Sequence, residues 1–286
     1  MGFLSLILIF LGLFNLSTSQ VDYSNVKASR EDAYKGEMKN GKRNGFGTLK
    51  FATGDVYEGQ FVNDKAHGLG KHTFDGGDVY EGEFYNDFMQ GKGRLTLSNG
   101  DEYIGNFEND EMHGDGVFNY FNGDKYVGSF AHNRKEGRGH LTSVNGDSYK
   151  GNFKNDAFHG HGVHTTSAGE RFEGKWENGA MNGHCSIEEE GFRYDGEVRN
   201  NQRHGRGVLT FSTGDKYEGD FLNHHMHGHG VLTYSDGYVY EGAFQQSEKH
   251  GPGKVTYVDG RQFSCEYAND ELVGELVPVG EGHVDL

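Results

Sequence analysis

Two cysteines and one tryptophan are all that this 286-residue chain carries of either residue, so at most one disulfide can form. No segment after residue 20 shows a convincing 3.6-residue apolar period, which argues against a helical domain. Basic clusters are missing as well. Asp and Glu outnumber Lys and Arg by 43 to 27, the formal net charge is −16, and the cations are scattered. Such a surface repels phosphate backbones and anionic headgroups, so neither nucleic-acid binding nor strong lipid binding is expected. Catalytic templates are absent in the same way. There is no Gly-x-Ser-x-Gly elbow, no P-loop, no Gly-x-Gly-x-x-Gly opening a helix and no His-Glu-x-x-His. We expect no enzyme, no catalytic residue and no cofactor. Long apolar runs are confined to Phe3–Leu16, shorter than the roughly 20 residues of a membrane span.

What the chain has is a repeat. Tyr103–Lys125 reads YIGNFENDEMHGDGVFNYFNGDK and returns almost intact every 23 residues. With its tyrosine as position 1, the same slot holds Tyr34, Tyr57, Tyr80, Tyr103, Tyr126, Tyr149, Phe172, Tyr194, Tyr217, Tyr240 and Phe263. Ten full units and a truncated eleventh follow, each step being 23 residues except Phe172 to Tyr194, which is 22. A fixed period of this size marks a repeat array.

Within a unit, Tyr103, Gly105 and Phe107 alternate with polar residues, and Gly205, Gly207, Leu209 and Phe211 show a second alternating run. Period-2 alternation is the mark of a half-buried strand. Asn-Asp-x-x-His between the runs and x-Gly-Asp after them are turn chemistry. Each unit is therefore a β-hairpin. An isolated hairpin is marginal in water, whereas stacked hairpins bury positions 1, 5 and 18 as aromatic ladders. The glycines at 3, 12 and 14 then make room for rings or supply positive φ in turns. Stability becomes a sum over neighbouring units.

The pattern Tyr-x-Gly-x-Phe-x-Asn-(Asp/Gly)-x-x-His-Gly-x-Gly, followed by Gly-Asp-x-Tyr, resembles the MORN repeat (membrane occupation and recognition nexus) over residues 34–276. The resemblance implies an all-β fold, an open single-sheet solenoid of about eleven stacked hairpins. It implies a non-catalytic scaffold that presents an extended β surface to protein partners, sometimes as a dimer. The truncated unit at 263–276 leaves a strand edge through which a homodimer could form.

The flanks suggest a compartment. Residues 1–19 have the apolar core and the small residues (Ser17, Ser19) of a signal peptide cut near Ser19–Gln20, although no Lys or Arg precedes the apolar run. An uncleaved anchor is the alternative. Residues 20–33 are a polar lead-in. The tail 277–286 ends His283-Val284-Asp285-Leu286, similar to the KDEL/HDEL retrieval signal but with Val in its second place. Together these favour the endoplasmic reticulum lumen or secretion. A cytosolic scaffold tethered to an organelle membrane or the cytoskeleton through an N-terminal anchor is the other reading.

Three further groups of residues invite a role. The unit at 172–193 is irregular, with Trp176 for Phe, Cys185 for Gly and Glu188, Glu189 and Glu190 where an aromatic belongs. Trp176 and the three glutamates are candidates for partner binding, with a bend in the array as the plainer alternative. Histidines recur at position 11 (His67, His113, His159, His204, His227, His250). That recurrence predicts a repeated side chain–backbone hydrogen bond, or else a pH-sensing ladder. The run His224–His229 lacks a carboxylate or thiolate to complete a metal site, and no metal ligand is assigned. Cys185 and Cys265 lie about three and a half repeats apart, on the order of 30 Å in a stack of strands, so both are expected to be free.

Overall fold

The computed structural model describes residues 32–279. The leader 1–19, nearly all of the lead-in and the retrieval-like His283–Leu286 lie outside the described residues. Among the described residues every regular element is a β-strand, from Ala33–Lys39 to Val277–Pro278, and within each unit the strands pair antiparallel, as Ala33–Lys39 does with Lys42–Lys50. Among the described residues there is no helix, and none is long and apolar enough to cross a membrane. The chain forms two compact units. One runs to Val144 and includes Phe153–Ala157; the other holds Asn145–Asn152 and continues from Phe158.

In the first unit, Val56–Val62 and Lys65–Thr73 show how the repeat builds its hairpin. Asn63 and Asp64 carry φ of 49° and 71°, the pair of positive angles that a type I′ turn demands and that Asn and Asp tolerate. The register then runs Val62↔Lys65 and Phe61↔Ala66, slips, and resumes at Gly59↔Gly70. The slip is a β-bulge, and Gly68 at position 12 supplies its φ of +65°. Position 12 thus serves a bulge inside the second strand rather than a turn.

Positions 3 and 14 do different work. Gly70 pairs with Gly59 of its own repeat and with Gly82 of the next. The ring of Tyr57 lies over the pair, so that a Cβ on Gly70 would sit 2.6 Å from Cε2 and one on Gly59 2.5 Å from the hydroxyl. A side chain at either place would displace the tyrosine. The hydroxyl is not idle either: it donates to the carbonyl of Gln60, at position 4, at 2.9 Å. The same bond recurs from Tyr80 to Glu83, from Tyr103 to Asn106 and, in the second unit, from Tyr217 to Asp220.

Rings carry the stacking. Tyr80 meets Phe84 of its own repeat edge-on at 5.1 Å and Phe107 of the next at 4.8 Å; Tyr103 repeats the pattern with Phe107 and Phe130. In the second unit Tyr217 sits between Phe221 and Phe244 in the same way. Such pairs add about 0.5–1.5 kcal/mol beyond the burial of their area.

In several repeats a carboxylate pins an end of the hairpin to a neighbouring repeat. Asp87 at position 8 accepts the backbone N–H of Ala66 at 2.8 Å, and its own N–H reaches the Ala66 carbonyl. Asp110 treats Met89 alike. At the other end Asp78, position 22, accepts the N–H of Ser98 at 2.8 Å, as Asp215 does from Ser235 in the second unit. Much of the acidity of the chain is therefore structural. The C-terminal edge is not left open. Val277–Pro278, read from sequence as free tail, pairs with Gln262–Ala268. Part of the strand edge on the truncated repeat is thus paired within the chain, by a segment whose proline offers no N–H.

Candidate partner-binding site

Position 10, the second residue after the hairpin turn, decides what lies over the aromatic row. Methionine fills it at Met89, Met112, Met181 and Met226. A cation fills it at Arg43, Lys135, Arg203 and Lys249, each with its charge 4.7–5.9 Å from the centroids of nearby rings. Lys135 is buried; its Nζ donates to the Tyr120 hydroxyl at 3.0 Å and lies 3.9 Å from Asp156. Burial lowers its pKa, and Asp156 and Asp124 oppose the shift. Arg43 faces Asp64 at 3.6 Å in the corresponding way. The arrangement is a cation held between a ring face and the position-8 residue of the following repeat. Sequence reading missed it, although four cations at one slot of a 23-residue period were there to be counted.

In the second repeat position 10 is Ala66. The short side chain leaves a groove of about 260 Å³ in the first unit, lined among others by Tyr57, Phe84, His72, Phe74 and Asp87, with Arg43 and Met89 at its two flanks. Burial holds the pKa of His72 below the ordinary histidine value, and its buried Nε2 has no hydrogen-bond partner.

The irregular repeat in the second unit is packed rather than loose. Trp176 is 2% exposed, its Nε1–H donates to the Gly162 carbonyl at 3.1 Å, and its ring stands edge-on to Phe158 and Tyr149, which stack at 3.6 Å. Trp176 is a core residue and offers no face to a partner. The three glutamates separate according to strand alternation. Glu188 points outward beside Arg193 at 3.7 Å and Glu190 is exposed. Glu189, at the aromatic position 18, is half-buried, and burial with Glu170 nearby pushes its pKa up to about 7, against the pull of Arg203. The four residues do not form one site.

Both cysteines are buried free thiols, and each belongs to a repeat whose position 1 is Phe. In the irregular repeat a Cβ on Gly174 would meet Cys185 Sγ at 2.5 Å, so the thiol takes the space that a tyrosine ring fills elsewhere. Burial raises the pKa of Cys185 to about 11. The position-11 histidines do not make the expected side chain–backbone bond. Nδ1 of His67, His159 and His250 is buried without a partner, and it is the backbone carbonyl of His159 and of His227 that accepts, from Tyr149 and Tyr217, at 3.4 Å. Among the described residues no group of three or more His, Cys, Asp or Glu side chains is placed to hold a metal ion.

The MORN repeat family model matches ten stretches: 34–56, 57–79, 80–102, 103–125, 126–148, 149–171, 172–187, 194–216, 217–237 and 240–260. The chain belongs to the MORN-repeat family. As a MORN protein it is a repeat scaffold of stacked β-hairpins. No curated protein matches it. Among solved structures it is similar to the TCP10 domain of Danio rerio CPAP in complex with a STIL peptide, at 13% identity and a TM-score of 0.26, covering 85% of this chain and 98% of that one. It is also similar to the SAS-4 TCP domain of Drosophila melanogaster, at 11% identity and a TM-score of 0.21, covering 78% and 90%. A streptogramin B lyase aligns at 12% identity and a TM-score of 0.16, covering 88% and 100%.

Proposed function

We propose that this MORN protein is a non-catalytic interaction scaffold of the secretory pathway, resident in the endoplasmic reticulum lumen or secreted, which presents its repeated β surface to protein partners. The observation that carries the scaffold reading is the division of labour within the repeat. Tyrosine, glycine and Asp at positions 1, 3, 8, 14 and 22 are consumed by the fold, while position 13 varies and faces solvent and position 10 opens a groove where it is Ala66. Phe46 and Leu69, both at position 13, are exposed in adjacent repeats, as a surface adapted to a partner would be. The secretory half rests on the leader 1–19 and the terminal His283–Leu286. The alternative is a cytosol-facing scaffold that tethers a membrane system through an uncleaved N-terminal anchor.

Translation in the presence of microsomes, followed by protease, separates the two. A protected product about 2 kDa smaller is expected for a cleaved signal; a full-length, digestible product overturns the luminal reading and favours the tether. Crosslinking in the same microsomes addresses the scaffold. Discrete adducts with other polypeptides are expected, and a chain that stays free of adducts overturns it.

A further inference from the structure

The groove at Ala66 is a gap in an otherwise filled row. At the same position of other repeats, the chain supplies its own cation over the rings, against an acidic residue from the next repeat: Arg43 with Asp64, Lys135 with Asp156. At Ala66 the rings are present in Tyr57 and Phe84, and the carboxylate is present in Asp87, but the cation is not. We propose that this gap receives one lysine or arginine side chain of a partner polypeptide, which completes the cation–ring–carboxylate arrangement that neighbouring repeats make within the chain. The proposal rests on the scaffold reading above and names the chemistry of one of its contacts.

Four observations favour a cation over an apolar occupant. Asp87 is exposed and its carboxylate has no ion-pair partner among the described residues; the side chain's one hydrogen bond is from the Ala66 N–H. Asp110, also in the lining, has its carboxyl pushed above the usual range by burial, with Asp87 and Glu111 adding to the shift and a hydrogen bond from Met89 opposing it. A positive charge placed between Asp87 and Asp110 relieves that burden. His72 keeps a buried Nε2 without a partner and is held toward its neutral form, able to accept an N–H. The cations already in the lining are Arg43, committed to Asp64, and Lys65, exposed at the rim. A partner residue on this acidic chain is also favoured by long-range attraction.

The methyl groups of Ala66 and Met89 bracket the gap and report on it directly. The probe is N-acetyl-arginine-N-methylamide, titrated into the full-length chain labelled at Ala and Met methyls and followed by NMR, with the neutral citrulline analogue as control. Saturable shifts confined to Ala66 and Met89, absent at Met181 and Met226, are expected, with the citrulline analogue about tenfold weaker. Two variants close the gap from within, Ala66→Arg in imitation of Arg43 and Ala66→Met in imitation of Met89. Either one that melts cooperatively should lose the Met89 response. Equal binding of the citrulline analogue, shifts spread over all methionines, persistence in a folded closed variant, or no shift up to the solubility of the probe would overturn the site. These outcomes are separable from failure of the scaffold reading, which the crosslinking experiment decides. Adducts in a parent chain that binds no probe remove the site and leave the scaffold; probe binding to the parent without adducts does the reverse.

Discussion

Repeat four (Tyr103–Lys125) and the irregular repeat seven (172–193) perform the same structural task with different parts. In repeat four, Tyr103 covers Gly105 and Gly116, bonds the Asn106 carbonyl and wedges between Phe107 and Phe130. In repeat seven the first residue is Phe172, with no hydroxyl. Cys185 stands where the second glycine was, and Trp176 reaches back to the Gly162 carbonyl. The edges differ too. Position 8 in repeat four is Asp110, which staples Met89; in repeat seven it is Gly179, which keeps only its backbone bond to Phe158. The pair teaches that the repeat is held by two separable devices, a ring over glycines and a carboxylate staple. Repeat seven rebuilds the first and drops the side-chain half of the second.

Removal of the ring from the regular repeat gives the largest effect. Tyr103 is fully buried, and Tyr103→Ala should cost about 3–5 kcal/mol in chemical denaturation, as other buried aromatics do on truncation. Tyr103→Phe should cost only about 1 kcal/mol, for the lost bond to Asn106. A Phe variant as damaging as the Ala variant would show that the hydroxyl, not the ring, holds the repeat.

Much of this was legible before the structure. The 23-residue period, the hairpins, the turns at Asn-Asp and the aromatic ladder follow from spacing and alternation alone, because a strand puts every second residue on one face. The bulge at Gly68 was not legible, since a positive φ inside a strand leaves the same Gly in the sequence as a turn does. Nor was the fate of Trp176 and the three glutamates. A rare residue at an irregular place looks like a site from the sequence, and only packing shows Trp176 closing the space beside Phe158. The role of position 10 was hidden for another reason. Met, Lys, Arg and Phe share no chemistry by type, yet share the length that covers a ring, and Ala66 stands out only once that is seen.

The comparison sharpens at the next level down. If Cys185 fills the room of a tyrosine ring, then Phe172→Tyr alone should overpack repeat seven and cost about 1–3 kcal/mol. The double variant Phe172→Tyr with Cys185→Gly should recover most of that loss. The coupling between the two, read from a double-mutant cycle, should be about 0.5–3 kcal/mol. Additivity within error would mean that the thiol and the missing hydroxyl are unrelated.

The staple can be removed from one repeat and added to the other. Asp110→Ala deletes the acceptor of the Met89 N–H and should destabilise by about 1 kcal/mol. Gly179→Asp places the same acceptor opposite the Phe158 N–H, at a φ of 82° close to the 65–80° that Asp adopts at this position elsewhere, and should stabilise by roughly half as much or more. Stability lost in both variants would show that repeat seven has diverged too far for the staple to form.

The smallest effect lies in Glu189, which repeat seven puts where repeat four has Tyr120. Burial and Glu170 raise its pKa to about 7, above the ordinary 4.5. A raised carboxyl favours the fold while it is protonated. Its contribution is therefore complete below about pH 4.5 and is lost as the pH climbs through 7, after which no further change comes from this group. Because Glu189 is only half-buried, solvent screening should keep the loss below about 1 kcal/mol. Glu189→Gln carries no charge at any pH and should be free of the decline, so the difference in melting temperature between variant and parent should grow from pH 4.5 to 7 and then level off. A difference that is flat across that interval would place Glu189 in open solvent beside Glu188 and Glu190, and would remove the last distinction among the three.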